Sequence, residues 1–394
     1  MEGTSDSGVR PPRVALVLLG GGARAAYQVG FLRCLARRMP DVHFEILVGV
    51  SSGAINVAHL ASRTCPFPEA VTELGELWAG LTPESVMEVD SLSLLKNVFL
   101  WSVRLISGGR TIFPPARGLV DCRPLEALLK RNLGDSGGTI RGIDRNIRSG
   151  HLEAVALSAT RYTTGESVTF VQGCGLPEEW SRPRRIAIRQ PLTVDHVMAS
   201  AALPLILPAV EIDGAWYGDG AVRQATPLAP AIGLGARRIV AVSTHCRGAG
   251  RPPSRPVVEG YPPPAQVAGT LLNSVFLDRL HDDVRRLERA NCLLESAPDH
   301  EGCGLRRVEA FVLRPSVDLG ELSRRYENRL PRAFRFMTRG LGTRETSSPD
   351  LLSMILFEPA YIRHLMEVGE RDAQERSDEL RRFLQGGKSG KRVS

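Results

Sequence analysis

A three-layer α/β sandwich with a central, mostly parallel sheet, extended by a helical C-terminal region, is what this 394-residue chain implies. Three observations lead there. Short apolar, β-branched runs alternate with segments of helical spacing, as strands buried on both faces alternate with covering helices. Two of these runs, close together near the N-terminus, end in glycine-rich turns that open helices, the pattern of a βαβ unit. Beyond about residue 320 the chain turns helical and charged.

The elements follow in order. RVALVLLG (13–20) is a buried parallel strand ending in glycines, and ARAAYQVGFLRCLARRM (23–39) has helical spacing. FEILVGV (44–50) is a second buried strand, after which GAINVAHLASR continues as a helix. Further strands are expected at 152–160, 166–173, 237–244 and 307–316, with helical segments at 124–133 and 219–236. The ends, 1–12 and 386–394, have the composition of disordered segments, and 246–265 is a Pro/Gly-rich linker between a domain at 13–245 and a mainly helical region at 266–385.

Composition narrows the function classes. With 43% hydrophobic and 24% charged residues the chain can bury a sizeable core. The formal net charge is +7, and all but four of the fifty basic residues are arginine. Such a surface is either simply soluble or suited to phosphate and anionic headgroups. No stretch interleaves basic and aromatic residues, so nucleic acid is set aside. The seven cysteines are scattered without CxxC or Cys/His spacing, so no metal site or disulfide framework is expected, and a reducing compartment fits. No secretory signal and no apolar run long enough to cross a bilayer is visible, so a cytoplasmic location is expected.

Chemistry gathers at the two glycine turns. In GVSSG, the strand-to-helix turn formed by Gly49, Val50, Ser51, Ser52 and Gly53, the Gly-x-Ser-x-Gly spacing selects Ser51 as the exposed nucleophile of an elbow. Ser52 then contributes a backbone N–H at a helix start, where developing negative charge is favoured. GGGAR puts the bare N–H groups of Gly20, Gly21 and Gly22 at the same sheet edge, with Arg24 adding positive charge. A dinucleotide loop fits less well than an oxyanion hole, because Ala25 stands where its last glycine belongs and no ribose-binding acid ends the second strand.

The proton acceptor has two candidate types. Of the histidines after the elbow (His59, His151, His196, His245, His281, His300 and His364), only His245 sits at the end of a buried strand, where a triad histidine could emerge. The alternative is Asp219, between glycines in GDGA (Asp219, Gly220, Ala221), which could act as base without an imidazole if burial raises its pKa.

GGGAR, GVSSG and Asp219-Gly220-Ala221, in this order and with ASAALPLILPAVEIDGAWYGDGA (199–221) leading into the aspartate, resemble the motifs of the patatin-like phospholipases; FEPAYIRHLMEVGERDAQE resembles the tails of bacterial members. The resemblance runs from about residue 13 to about 245. It implies a lipid acyl hydrolase, of phospholipase A or lysophospholipase type, that cleaves carboxylic esters through an acyl-serine intermediate. Ser51 would be its nucleophile, Asp219 its base, and the N–H groups of Gly20, Gly21 and Gly22 its oxyanion hole with Arg24 nearby. No metal or cofactor is implied. Where the family usually has glycine this chain has Ala25, whose methyl is expected to tilt the helix start. A low-activity lipid-binding scaffold of the same fold and a triad esterase using His245 stand as alternatives.

The apolar stretch LSLLKNVFLWSVRLISGG (92–109), within an insertion at about 85–120, is too short and too charged to span a bilayer. It reads either as a core helix or as a lipid contact through Phe99 and Trp101 at a membrane surface or over an acyl channel.

Overall fold

The computed structural model describes residues 13–88, 118, 120–136, 138–174, 182–204, 206–246, 267, 279–296, 305–331, 335 and 350–386. The expected disordered ends apart from Gly386, nearly all of the Pro/Gly-rich linker, His300, and the 92–109 stretch with Phe99 and Trp101 lie outside the described residues.

Nine strands form one sheet: β1 (Val14–Leu18), β2 (Ile46–Val50), β3 (Ala154–Arg161), β4 (Glu166–Gly173), β5 (Arg185–Arg189), β6 (Val210–Ile212), β7 (Ala215–Asp219), β8 (Arg238–Val242) and β9 (Glu309–Leu313). The main order is β9-β8-β1-β2-β3-β4-β5. The first five strands of that row are mutually parallel, β4 runs antiparallel to β3, and β5 is parallel to β4. The hairpin β6–β7 joins through β7, antiparallel to the last residues of β3.

Side chains alternate across the strands and make two cores. Leu16, Leu18 and Leu47 face one side. There they meet α1 (Ala26–Arg38), α2 (Ser52–Ser62), α3 (Phe67–Ala79) and α4 (Arg123–Leu133). Ala15, Val17 and Val48 face the other, against residues around Ala229–Gly233 and the start of α5 (Arg279–Ser296). The C-terminal α6 (Pro359–Glu375) lies on α1 so closely that a methyl group at Gly30 would sit 1.9 Å from Met366 O, and one at Gly369 2.0 Å from Tyr27 O.

Two features differ from the sequence expectation. Residues 219–236 are not a helix: a short 3-10 turn at Gly220–Val222 and the five-residue helix Ala229–Gly233 stand in its place. Pro227 explains the late start, since it lacks an N–H and biases Thr226 away from helix, while Pro230 sits in the first turn of the short helix, where no intrahelical N–H bond is lost. Strands β5, β6 and β7 also exist where none was expected, and β7 carries Asp219.

Candidate active site

Between β2 and α2 the chain turns on Ser51, held at φ 56° and ψ −133°. A non-glycine residue there is strained, and the surroundings must enforce it. The neighbouring glycines make the turn sterically possible: a methyl at Gly53 would lie 2.2 Å from Leu18 O, and one at Gly49 2.6 Å from Ala54 Cα. Ser51 N–H donates to Ser200 Oγ at 3.0 Å, and Ser200 Oγ donates to Ser158 O at 2.6 Å, so the elbow is tied to β3.

Strand β3 also brings in the carboxylate. Val50 pairs with Ser158, and Asp219 pairs with Ala159, the next residue along β3. Strand β7 therefore takes up the row where β2 ends, and Ser51 and Asp219 meet there although 168 residues separate them. Ser51 Oγ donates to Asp219 Oδ2 at 2.6 Å. Oδ1 accepts the Ala221 N–H at 2.9 Å, while Thr160 Oγ1 donates to the Asp219 carbonyl at 2.8 Å and Asp219 N–H donates to Ala202 O at 3.0 Å. Among the described residues no cationic side chain forms an ion pair with Asp219.

Burial sets the acidity of this carboxyl. Asp219 is fully buried, and desolvation pushes its pKa up to about 7, against the downward pull of the Ser51 hydroxyl and the Ala221 N–H. A carboxylate poised near neutrality within hydrogen-bond reach of a serine hydroxyl meets the geometric and acidity requirements of a general base.

The glycine loop runs against the serine. A methyl at Gly20 would sit 2.6 Å from Ser51 Cβ, and Gly22, at φ 59°, leaves no room for a side chain because Met354 O would be 2.1 Å away. Arg24 turns elsewhere. Only 2% exposed, its Nη2 donates to Asp350 Oδ1 at 2.5 Å and its Nε to Ser353 Oγ at 2.6 Å, so its charge is neutralised and clamps the loop to the helix Asp350–Ile355. Ala25 is buried in ordinary helical geometry, φ −66° and ψ −12°, so nothing in the backbone there requires glycine.

The remaining histidines are placed as follows. His59 is buried with Nε2 against Ala70 O, and His196 belongs to a capping box with Thr193; burial lowers both to about 4. His151 bonds Ser149 and His364 bonds Tyr326. His245 lies just past β8, its backbone N–H donating to Ser243 Oγ. Over Ser51 opens an apolar cavity of about 50 Å³ walled by residues such as Ile55, Met87, Leu203, Ile355 and Phe357. Among the described residues there is no His/Cys/Asp/Glu group that could hold a metal ion, and no helix long and apolar enough to cross a membrane.

Sequence reasoning missed Ser200, Thr160 and Asp350 as supports of the site. Ser200 does lie in the Ala-Ser…Pro segment whose likeness to the family was visible; Asp350 has no such signal, because its partner Arg24 is 326 residues away.

A strand-turn serine bonded to a buried carboxylate is an arrangement that hydrolytic chemistry could use, and comparison with known families points to a lipid hydrolase. The model of the patatin-like phospholipase family matches residues 16–232, more than half of the chain, and the chain belongs to this family. Curated relatives include NTE family proteins of Mycobacterium bovis and Mycobacterium tuberculosis, themselves described as uncharacterized. Each is 26% identical over 245 residues, 62% of this chain and 52% of theirs. The chain thus spans about half the length of the curated relatives it matches. Among solved structures, human GIVD cytosolic phospholipase A2 in complex with methyl gamma-linolenyl fluorophosphonate is similar at a TM-score of 0.45 and 13% identity, covering 95% of this chain and 59% of that one. VipD from Legionella pneumophila is similar at a TM-score of 0.34 and 13% identity, covering 95% of this chain and 67% of the other.

Proposed function

We propose that this protein is a serine lipid acyl hydrolase of phospholipase A or lysophospholipase type, working through a Ser51–Asp219 dyad. The observation that carries the reading is the 2.6 Å hydrogen bond from a strained serine to a carboxylate with no exposed surface. Asp219 removes the Ser51 proton as Oγ attacks the ester carbonyl. The N–H groups of Gly20, Gly21 and Gly22, on the loop that borders Ser51, stabilise the oxyanion that develops. Asp219 then returns the proton to the departing alcohol and leaves an acyl-serine; a water deprotonated by the same carboxylate releases the acid.

Belonging to the patatin-like phospholipase family supports a lipid ester as substrate. The apolar cavity over Ser51 supports the same class, since a lipid's acyl chain has no polar groups to satisfy. The arginine-rich surface suits anionic headgroups at a membrane face, where the protein would act peripherally. The location that goes with this reading is cytoplasmic, peripheral at a membrane surface.

Turnover of p-nitrophenyl esters and of phospholipid vesicles by wild type, Ser51→Ala, Asp219→Asn and His245→Ala tests the reading. Wild type and His245→Ala should hydrolyse both substrates, while Ser51→Ala loses at least about a thousandfold in kcat, the scale seen when a hydrolase nucleophile is removed. An inert wild type would favour a lipid-binding scaffold, and a His245→Ala variant as inactive as Ser51→Ala would favour a triad.

A further inference from the structure

Every peptide plane of the glycine loop is held by its carbonyl. Gln28 Nε2 donates to Leu19 O at 2.5 Å, Thr244 Oγ1 donates to Gly20 O at 2.5 Å, and the Arg24 N–H donates to Gly21 O at 3.1 Å. A trans peptide points its N–H opposite to its C=O, so these bonds set the directions of the Gly20, Gly21 and Gly22 N–H groups. Among the described residues, none of those three N–H groups has an acceptor.

The two side chains come from different elements. Strand β8 runs parallel to β1 with Val242 beside Leu18, so Thr244 comes to lie against the loop, where a methyl on Gly21 would sit 2.5 Å from Thr244 Oγ1. Gln28, on α1, is oriented by a relay that starts on α3. Trp78 Nε1 can only donate, so its 2.7 Å contact with Asn56 requires the oxygen Oδ1 there. Asn56 Nδ2 then faces Gln28 Oε1 at 2.9 Å, which turns Gln28 Nε2 towards Leu19 O. Trp78, Asn56, Gln28 and Thr244 are each at most 2% exposed, so bulk water does not compete for these bonds.

We propose that Gln28 and Thr244 are positioning residues of the Ser51 site, holding the amide planes of the glycine loop in register for the oxyanion, with Trp78 and Asn56 fixing the orientation of Gln28. The inference rests on Ser51 being the nucleophile. Both side chains act through the loop and not on the substrate. Donors fixed in advance cost no reorganisation as charge develops, so letting them tilt weakens transition-state binding and leaves ground-state binding alone.

The test compares wild type with Thr244→Val, Thr244→Ser and Trp78→Phe, using a short p-nitrophenyl ester and a fluorophosphonate, with urea denaturation to show that each variant is folded. Thr244→Val keeps the shape and removes the donor. It should lower kcat at least about tenfold with KM within about twofold of wild type, less than the roughly hundredfold or more lost with a whole oxyanion donor. Thr244→Ser should restore kcat to within about threefold, because the hydroxyl returns. Trp78→Phe frees the Asn56 amide to turn over and should also lower kcat selectively, which keeps the test open if Thr244→Val does not fold. In both, the pH midpoint of kcat/KM should stay where wild type has it, since Asp219 is not involved. Wild-type kcat in both variants, a loss carried by KM, a shifted midpoint, or no rescue by Thr244→Ser overturns the positioning role and leaves a labelled Ser51 as nucleophile. Failure of the fluorophosphonate to label Ser51 in wild type overturns the catalytic reading, and the positioning role falls with it.

Discussion

Asp219→Asn should stabilise the protein at alkaline pH while removing its activity. The carboxyl, ordinarily at 3.8, is raised by burial to about 7 in the fold. Raising it that far corresponds to about 4 kcal/mol of disfavoured charge. The sign follows from linkage. Between the two pKa values the folded state holds a proton that the unfolded chain has released, so wild-type stability from this group is fully present below about pH 4 and is lost as pH rises through about 7. Asparagine cannot ionise, and its carbonyl can still accept the Ala221 N–H now bonded to Oδ1. The stability difference between variant and wild type should therefore widen in favour of the variant as pH rises, by up to about 4 kcal/mol, and level off above about pH 8. Urea denaturation of both proteins across this range measures the difference while cancelling the titration of every other group. A difference independent of pH would refute the raised carboxyl on which the base assignment depends.

Further outcomes follow from the same geometry. For wild type, kcat/KM on a soluble ester should rise with pH through an apparent pKa near 7, because the base must be ionised; a profile flat from about pH 5 to pH 9 would contradict this. Arg24→Met breaks the buried ion pair with Asp350 and should destabilise by about 3–5 kcal/mol, read by urea denaturation, with part of that loss recovered in the Arg24→Met/Asp350→Leu double variant. Ser200→Ala removes the acceptor of the Ser51 N–H, so it should cost about 1–3 kcal/mol in denaturation and lower kcat more than it changes KM. Charge substitutions at Phe99 and Trp101 should weaken liposome binding more than hydrolysis of a short soluble ester; equal loss of both in paired assays would assign that stretch to core packing.

Much of the site was legible because its chemistry is written locally. GGGAR, GVSSG and GDGA are short turns whose small residues answer local demands of backbone and space, as the contacts of Gly22, Gly49 and Gly53 bear out. Buried strands such as Ile46–Val50 announce themselves by unbroken apolar runs. What stayed hidden depends on distant pairing. The three-residue β6 and the glycine-interrupted β7 lack the apolar period of a core strand, and they exist because the end of β3 offers an open edge. Nothing near Arg24 signals that it will be buried, since Asp350 and Ser353 arrive from the far end of the chain. The sequence placed that arginine beside the glycine loop, and its bonds to Asp350 and Ser353 turn its charge towards the helix Asp350–Ile355. The 219–236 segment reads as helical, but Pro227 delays the helix to Ala229–Gly233.

The dyad is tested most directly by trapping its covalent intermediate. Wild-type protein mixed with excess p-nitrophenyl ester, quenched in acid within the first turnovers and digested, should yield an acyl mass on the peptide carrying Ser51; Ser51→Ala and Asp219→Asn should yield none. An acyl group on any other residue, or full acylation of Ser51 in Asp219→Asn, would contradict the account.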